Sequence, residues 1–232
     1  MRQIFLDTET TGLSAAKGHR IIEIGAVEII DRKLTGNDYQ TYLNPERKID
    51  PGSINVHGIT NEFISDKPLF KEILKDLLSY ISDSEIIMHN APFDASFLDN
   101  EFLLAGMQKK LVDLCSIQDS LVIAREMHPG KRNSLDALCT RYDVDTSSRE
   151  VHGALIDAKL LANVYLLMTG GQVGFFGDQQ SSNDPHESDV THFDYSKRNI
   201  IKVKASKNDL DNHKKYIKKL FKISSKLREL IE

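Results

Sequence analysis

The chain has 232 residues, 40% of them apolar and 28% charged, with a formal net charge of −4. That length holds one full domain plus an appendage, with a substantial core. With no apolar run near the ~18 residues of a membrane helix, a strand rather than a signal peptide at the N-terminus, and two cysteines that lack metal-ligand spacing, a cytoplasmic protein with reduced thiols and no membrane partner is expected.

Residues 2–7 read as a first strand, and the β-branched run Ile21–Ile30 as a second. Tyr39–Leu43 reads as a third, with Asp31-Arg32-Lys33 and Gly36-Asn37 as turn chemistry, so a three-stranded antiparallel meander is expected. Leu69–Ile81 has helical periodicity, with Leu69, Ile73, Leu77 and Leu78 on one face. A short buried strand follows at Glu85–Met88, then a helix from about Pro92 to Ala105. Leu111–Leu114 reads as a last strand, and helices at about Ile117–Glu126, Ser134–Tyr142 and Ala154–Met168 complete the body. This order predicts an α/β fold: a mixed five-stranded sheet with helices on its faces.

The first strand ends by presenting Asp7 and Glu9. Strand residues two apart share a face, so both carboxylates can reach one point just beyond the sheet. Thr8, Thr10, Thr11 and Gly12 then supply a tight turn where a substrate backbone could approach. The spacing alone says little, because Asp99/Glu101, Asp143/Asp145 and Asp209/Asp211 repeat it. Two further segments give the pair its company. Glu85–Met88 leads through His89-Asn90 to Asp94, in the first turn of the next helix, where a carboxylate also suits the helix dipole. His152 then precedes a helix whose apolar stripe contains Asp157. Five helical residues turn through about 500°, so His152 belongs in the loop while Asp157 faces inward, or else lies on the outer, solvated face. Four convergent carboxylates need cations, and hard oxygen ligands suit Mg²⁺ or Mn²⁺. Such a set matches a two-metal phosphodiester site, its ions ~3.5–4 Å apart, with a nearby histidine as general base. His89 and Asp94 share the spacing of His152 and Asp157, so His89 is a second nominee for base, although its strand-end position suits a structural role.

The segments FLDTETTG, HNAPFD and HGALIDA resemble the three motifs of the DEDD exonucleases in their histidine (DEDDh) branch; the tyrosine branch would place Tyr where Gly153 stands. Asn55–Thr60, Phe63, Asp66-Lys67-Pro68 and Tyr165–Gln172 narrow the resemblance to the epsilon-subunit family of bacterial DNA polymerase III. It covers about residues 2–176 and implies a ribonuclease H-like fold. It also implies a proofreading 3′→5′ exonuclease that acts on single-stranded or frayed DNA 3′ ends. By motif, Asp7, Glu9, Asp94 and Asp157 would hold two divalent cations and His152 would be the base. Asp7, Glu9 and Asp157 would also meet the terminal nucleotide, His57 would line its pocket, and Gly52 would approach it through its backbone.

Residues 1–171 carry 18 Lys/Arg against 25 Asp/Glu, an acidic body unsuited to tight nonspecific duplex binding. The 177–190 stretch has flexible-linker composition. Beyond it, 196–232 hold 12 basic and four acidic residues, with Tyr216, Leu220, Ile223, Leu227 and Leu230 at helical spacing. The expected organisation is an exonuclease domain over 1–171, a linker with a clamp contact over 172–206, and a basic helix over 207–232. Gln172, Phe175 and Phe176 resemble the Gln-x-x-Leu-Phe pattern of sliding-clamp ligands, with Phe175 in the leucine position. The resemblance implies that the basic helix tethers the nuclease to the polymerase alpha subunit, and that a small third core subunit could join them. The alternatives are an RNA-processing DEDDh exoribonuclease, whose compact form would lack the linker and tail, and a catalytically silent binding module, against which every motif position is filled.

Overall fold

The apolar run at the N-terminus becomes the middle of a sheet. A computed structural model of the chain describes residues 1–147, 149, 151–170, 206–215 and 218. Its strands are β1 (Arg2–Thr10), β2 (Ile21–Ile30), β3 (Lys33–Leu34), β4 (Tyr39–Tyr42), β5 (Glu85–Met88) and β6 (Ser116–Asp119). The sheet runs β3-β2-β1-β5-β6, with β4 also on β2. β1 is antiparallel to β2 and parallel to β5, and β6 continues the parallel half. The mixed sheet is therefore present, enlarged by the two-residue β3.

Helices α1 (Pro51–His57), α2 (Asn61–Ile64), α3 (Phe70–Ile81), α4 (Ala91–Leu104), α5 (Ser120–Met127), α6 (Leu135–Tyr142) and α7 (Ala154–Thr169) surround it. The two-residue period of β1 sorts them into layers. Ile4 and Leu6 pack with Phe70 and Leu77 of α3 and with Phe97 and Phe102 of α4. Phe5 points the other way, against Ala158, Leu161 and Tyr165 of α7 and Leu138 of α6. Each of the buried Leu, Ile and Phe side chains among these contributes roughly 1.5–3 kcal/mol. Because Asp7 and Glu9 continue the Phe5 alternation, they emerge beneath the start of α7.

Several expected boundaries move. β1 extends through Thr10, so Asp7 and Glu9 project from a paired strand, opposite Gly25 and Glu23, and not from beyond its end. Thr8 and Thr10 accordingly lie within the strand, and only Thr11–Leu13 bend. Leu111–Asp113 forms a 3₁₀ turn instead of a strand: Leu111 is fully buried, Asp99 accepts its N–H at 2.7 Å, and Asp113 accepts the Lys110 N–H at 2.8 Å. The last strand is Ser116–Asp119, and α5 begins only after Asp119 caps it through the Leu121 N–H. α1 and α2 fill a stretch in which no helix was expected; a proline starts α1, and Gly58 ends it at φ 73°.

The remaining acidic pairs have structural partners. Glu101 is 1% exposed and receives Arg20 bidentately, at 2.7 and 2.8 Å, plus the Ile21 N–H. Asp143 caps α6 in the left-handed region at φ 55°, while Asp209 accepts from Ser206 before a helix over 207–215. The chain divides into two units, Met1–Asp178 and Gln179–Glu232. The expected linker, the clamp segment Gln172, Phe175 and Phe176, and most of the basic helix beyond residue 215 lie outside the described residues. No helix among the described residues is long and apolar enough to cross a membrane. Cys115 and Cys139 are free thiols.

Candidate active site

The site is where β1, α4 and α7 meet. β1 supplies Asp7 and Glu9 on the α7 side of the sheet. α7 can start directly over them because β2 carries Gly25 opposite Asp7: a Cβ there would lie 2.1 Å from the Leu155 nitrogen. Glu23, 2% exposed, anchors the same helix end, accepting the Ala154 N–H at 3.1 Å and Gln40 Nε2 at 2.8 Å. One turn into α7, Asp157 is buried and faces inward. His152 stands before the helix, its backbone N–H on Val56 of α1.

Asp94 enters from the first turn of α4, which starts at Ala91 after Asn90 takes a left-handed conformation at φ 72°. The Asn90 N–H is held by Asp119, and Thr8, on the α4 face of β1, donates to Asp94 Oδ1 at 2.7 Å. A single hydroxyl thus ties the second carboxylate segment to the first.

Donor atoms of Glu9, His152 and Asp157 lie within 4.8 Å of one another. Asp7 and Asp94 join them electrostatically. Burial, then Asp94, Asp157 and Glu9, hold the Asp7 carboxyl well above its ordinary range. Glu9 is pushed up to about 8 by burial and by Asp157, Glu23 and Asp94. Asp94 rises to about 7, chiefly through burial. Such mutual repulsion is what convergent carboxylates show when no cation neutralises them.

Among the described residues Arg149 supplies the positive charge at the cluster, and nothing in the sequence pattern singled it out. Its Nη2 donates to Asp157 Oδ2 at 2.8 Å, and its Nε lies 2.6 Å from Oδ1 at an angle that leaves both atoms without a well-formed hydrogen bond. The same Nη2 is 2.6 Å from His152 Nδ1, which also lies 3.0 Å from Asp157 Oδ2. Asp136 holds the other side of the guanidinium. The poorly satisfied Asp157 Oδ1, three carboxyls with raised pKa and an oxygen-rich donor set fit hard divalent cations.

Beside the cluster, a cavity of about 680 Å³ opens between β1 and α1, lined by Glu9, Thr10, Gly52, Val56, His57 and Phe93. Gly52 contributes bare backbone, with nothing within 4 Å of where its Cβ would be. His57 accepts the Ile59 N–H at Nδ1 (3.0 Å), which puts its proton on Nε2. That Nε2 is enclosed without a hydrogen-bond partner, and burial lowers the ring's pKa. His89 is held elsewhere: its nitrogens meet Ser120 Oγ at 3.0 Å and the Asn133 carbonyl at 2.8 Å, away from the carboxylates' donor cluster. Of the residues that sequence reading passed over, Glu23 alone left a signal, a charge within an apolar strand. Arg149 acts through a contact eight residues away in the chain, and Thr8, expected in a tight turn, acts instead through one 86 residues away.

The model of the exonuclease family matches residues 4–165. The chain is 53% identical over 184 residues to the DNA polymerase III subunit epsilon of Haemophilus influenzae, an alignment covering 78% of this chain and 72% of that protein. It is 48% identical over 223 residues to the subunit epsilon of Rickettsia prowazekii, covering 95% and 97%. Its fold matches the nuclease domain of 3′hExo, a DEDDh family member solved with bound rAMP, with a TM-score of 0.63 at 18% identity over 73% of this chain and 92% of that one. The chain belongs to the exonuclease family and, within it, to the DNA polymerase III subunit epsilon family.

Proposed function

We propose that the chain is the proofreading 3′→5′ exonuclease subunit of DNA polymerase III, hydrolysing the terminal phosphodiester of a mispaired 3′ end to release a nucleoside 5′-monophosphate. The observation that carries this reading is the gathering of Glu9, His152 and Asp157 donor atoms within 4.8 Å, at the mouth of a cavity sized for one nucleotide. Asp7, Glu9, Asp94 and Asp157 are the residues to hold two divalent cations, Mg²⁺ or Mn²⁺. When bound, such ions neutralise the carboxylates, polarise the scissile phosphate and acidify a water.

The chain's own groups do the rest. His152 is the base: with its Nδ1–H turned to Asp157 Oδ2, Nε2 accepts a proton from the attacking water once Arg149 Nη2, 3.4 Å from that nitrogen and 2.6 Å from Nδ1, has moved aside. That tautomer excludes the Arg149 contact, because a protonated Nδ1 cannot also accept from Nη2. The cavity walled by His57 and by the open backbone at Gly52 receives the terminal nucleotide. Mismatch selectivity comes from fraying, since an unpaired terminus costs less to draw into a single-strand site.

The acidic nuclease domain over 1–171 and the basic segment over 207–232 support a division of labour. The tail tethers the nuclease to the alpha subunit and the linker keeps it at high effective concentration near the primer end. Gln172, Phe175 and Phe176 contact the sliding clamp, and the assembly works in the cytoplasm. Truncation after Gly171 keeps nuclease activity and abolishes co-purification with the polymerase; a truncated chain that still co-purifies refutes the tether. For the chemistry, matched and mismatched DNA and RNA 3′ ends are compared in Mg²⁺ and in EDTA. Mismatched DNA is degraded fastest, and only with metal. Equal or faster loss of RNA would instead favour an exoribonuclease, and activity surviving EDTA would exclude the two-metal assignment.

A further inference from the structure

At the start of α4 lies a second cavity, of about 590 Å³, that the proposed chemistry does not use. Its walls are the turn after β5 (His89, Asn90), Arg125 of α5, and the loop into α6 with Lys131, Asn133 and Ser134. Asn90 precedes Asp94 by about one helical turn, so the cavity borders the start of α4, the turn that carries Asp94. The nucleotide-sized cavity reaches the same helix turn from the other side, through Phe93.

The loop is built to present cations. Asn133, 8% exposed, donates from Nδ2 to the Lys131 and His128 carbonyls at 3.1 and 3.3 Å. Arg141 donates to the Arg132 carbonyl at 2.7 Å and to Asn133 Oδ1 at 3.1 Å, and His89 reaches the Asn133 carbonyl. The loop's carbonyls are thereby held by the protein. Arg125 and Lys131, both exposed, have no acidic partner among the described residues. Two cations without an acidic partner among the described residues stand beside the N-terminus of α6, while the nearby Asp119 carboxylate is engaged by the Asn90 and Leu121 N–H groups, and the fixed loop holds the cations at little entropic cost.

We propose that this cavity binds the phosphodiester backbone of the substrate strand, on the 5′ side of the scissile bond. The strand then runs from the positive cavity, across Asp94, to its terminal nucleotide beside Gly52 and His57. The proposal rests on reading the carboxylate cluster as a 3′-end exonuclease site. It also gives His89 a function, as the brace between β5 and the cationic loop.

The test uses the full chain with Arg125→Gln and Lys131→Gln combined, residues outside the catalytic machinery. Steady-state kinetics in Mg²⁺ are compared on a dinucleotide, whose one phosphate is the scissile one, and on a single-stranded octanucleotide. The double variant raises KM for the octanucleotide by roughly tenfold and reduces the log–log salt slope by about 1.4, from ~0.7 per lost phosphate contact. Its kinetics on the dinucleotide stay those of the parent. Equal losses on both substrates, or none on either, would overturn the proposal. Fluorescence anisotropy of a 5′-labelled octanucleotide in Ca²⁺ separates the two readings. If the parent binds more tightly than the double variant yet hydrolyses neither substrate, the cavity assignment stands and the exonuclease reading fails. Equal binding by both proteins overturns the cavity assignment whatever the hydrolysis.

Discussion

Arg149→Gln probes how the chain stabilises its site when no metal is bound. The Arg149 side chain is 9% exposed and that of Asp157 5%, and guanidinium and carboxylate meet at 2.6 and 2.8 Å. Two unit charges about 4 Å apart at a partly buried site attract by about 4 kcal/mol. Deleting one partner of a buried pair costs about 3–5 kcal/mol, because the other is left uncompensated. Asp157 is worse placed than most, with Glu9 and Asp7 beside it. In EDTA near neutral pH the variant should therefore lose about 3–5 kcal/mol of stability in urea unfolding. Saturating Mn²⁺ should restore most of that loss, since a cation then serves the same carboxylate. By linkage, the variant should bind Mn²⁺ more tightly than the parent, which titration calorimetry measures directly. The reasoning fails if the loss in EDTA is below about 1 kcal/mol or if metal leaves it unchanged.

Four further expectations concern the carboxylates, the start of α7 and the two histidines. Glu9 titrates near 8 and Asp94 near 7 in the folded chain, against ordinary values of 4.5 and 3.8, so the folded, metal-free protein holds protons that the unfolded chain releases. That stability is full below about pH 4 and is lost as pH rises through 7–8, an effect on the order of a few kcal/mol. Melting temperature in EDTA should fall from pH 5 to 8.5, less steeply in Glu9→Gln, while Mn²⁺ affinity rises across the same window; a flat profile in the parent contradicts the assignment. Gly25→Ala puts a methyl into the α7 backbone and pushes Asp157 off its position, lowering kcat by about 10²-fold; unaltered kcat in a folded variant refutes this. His152→Asn should lower kcat by about 10²–10⁴-fold with metal affinity little changed. His89→Asn should act mainly on KM, through the loop it braces, and a larger kcat loss there than at His152 would mean that the base has been misassigned.

Much of this arrangement could be read from residue order. Apolar periodicity located β2, α3, α4 and α7 nearly to the residue, because each buries a full stripe or face against a neighbour. It misplaced β6, a polar four-residue edge strand whose identity comes from pairing with β5, and it missed the short α1 and α2. The segments carrying Asp7, Glu9, Asp94, His152 and Asp157 were legible because a carboxylate at the end of, or within, an apolar stretch needs a reason to be there. Their three-dimensional relation was not.

Local sequence determined which side chains could do chemistry at this centre, since the residue type, the strand alternation and the helix start are all short-range properties. Tertiary structure alone decided what surrounds them. Thr8 reaches Asp94 only because β1 lies beside β5, and α7 begins over Asp7 only because Gly25 lies opposite it. Arg149 acquires its importance from a fold that buries Asp157 within reach of its guanidinium. These contacts join residues with no periodic relation in the chain, and the cost of an unpaired buried charge, which selects them, exists only once the chain has closed around it.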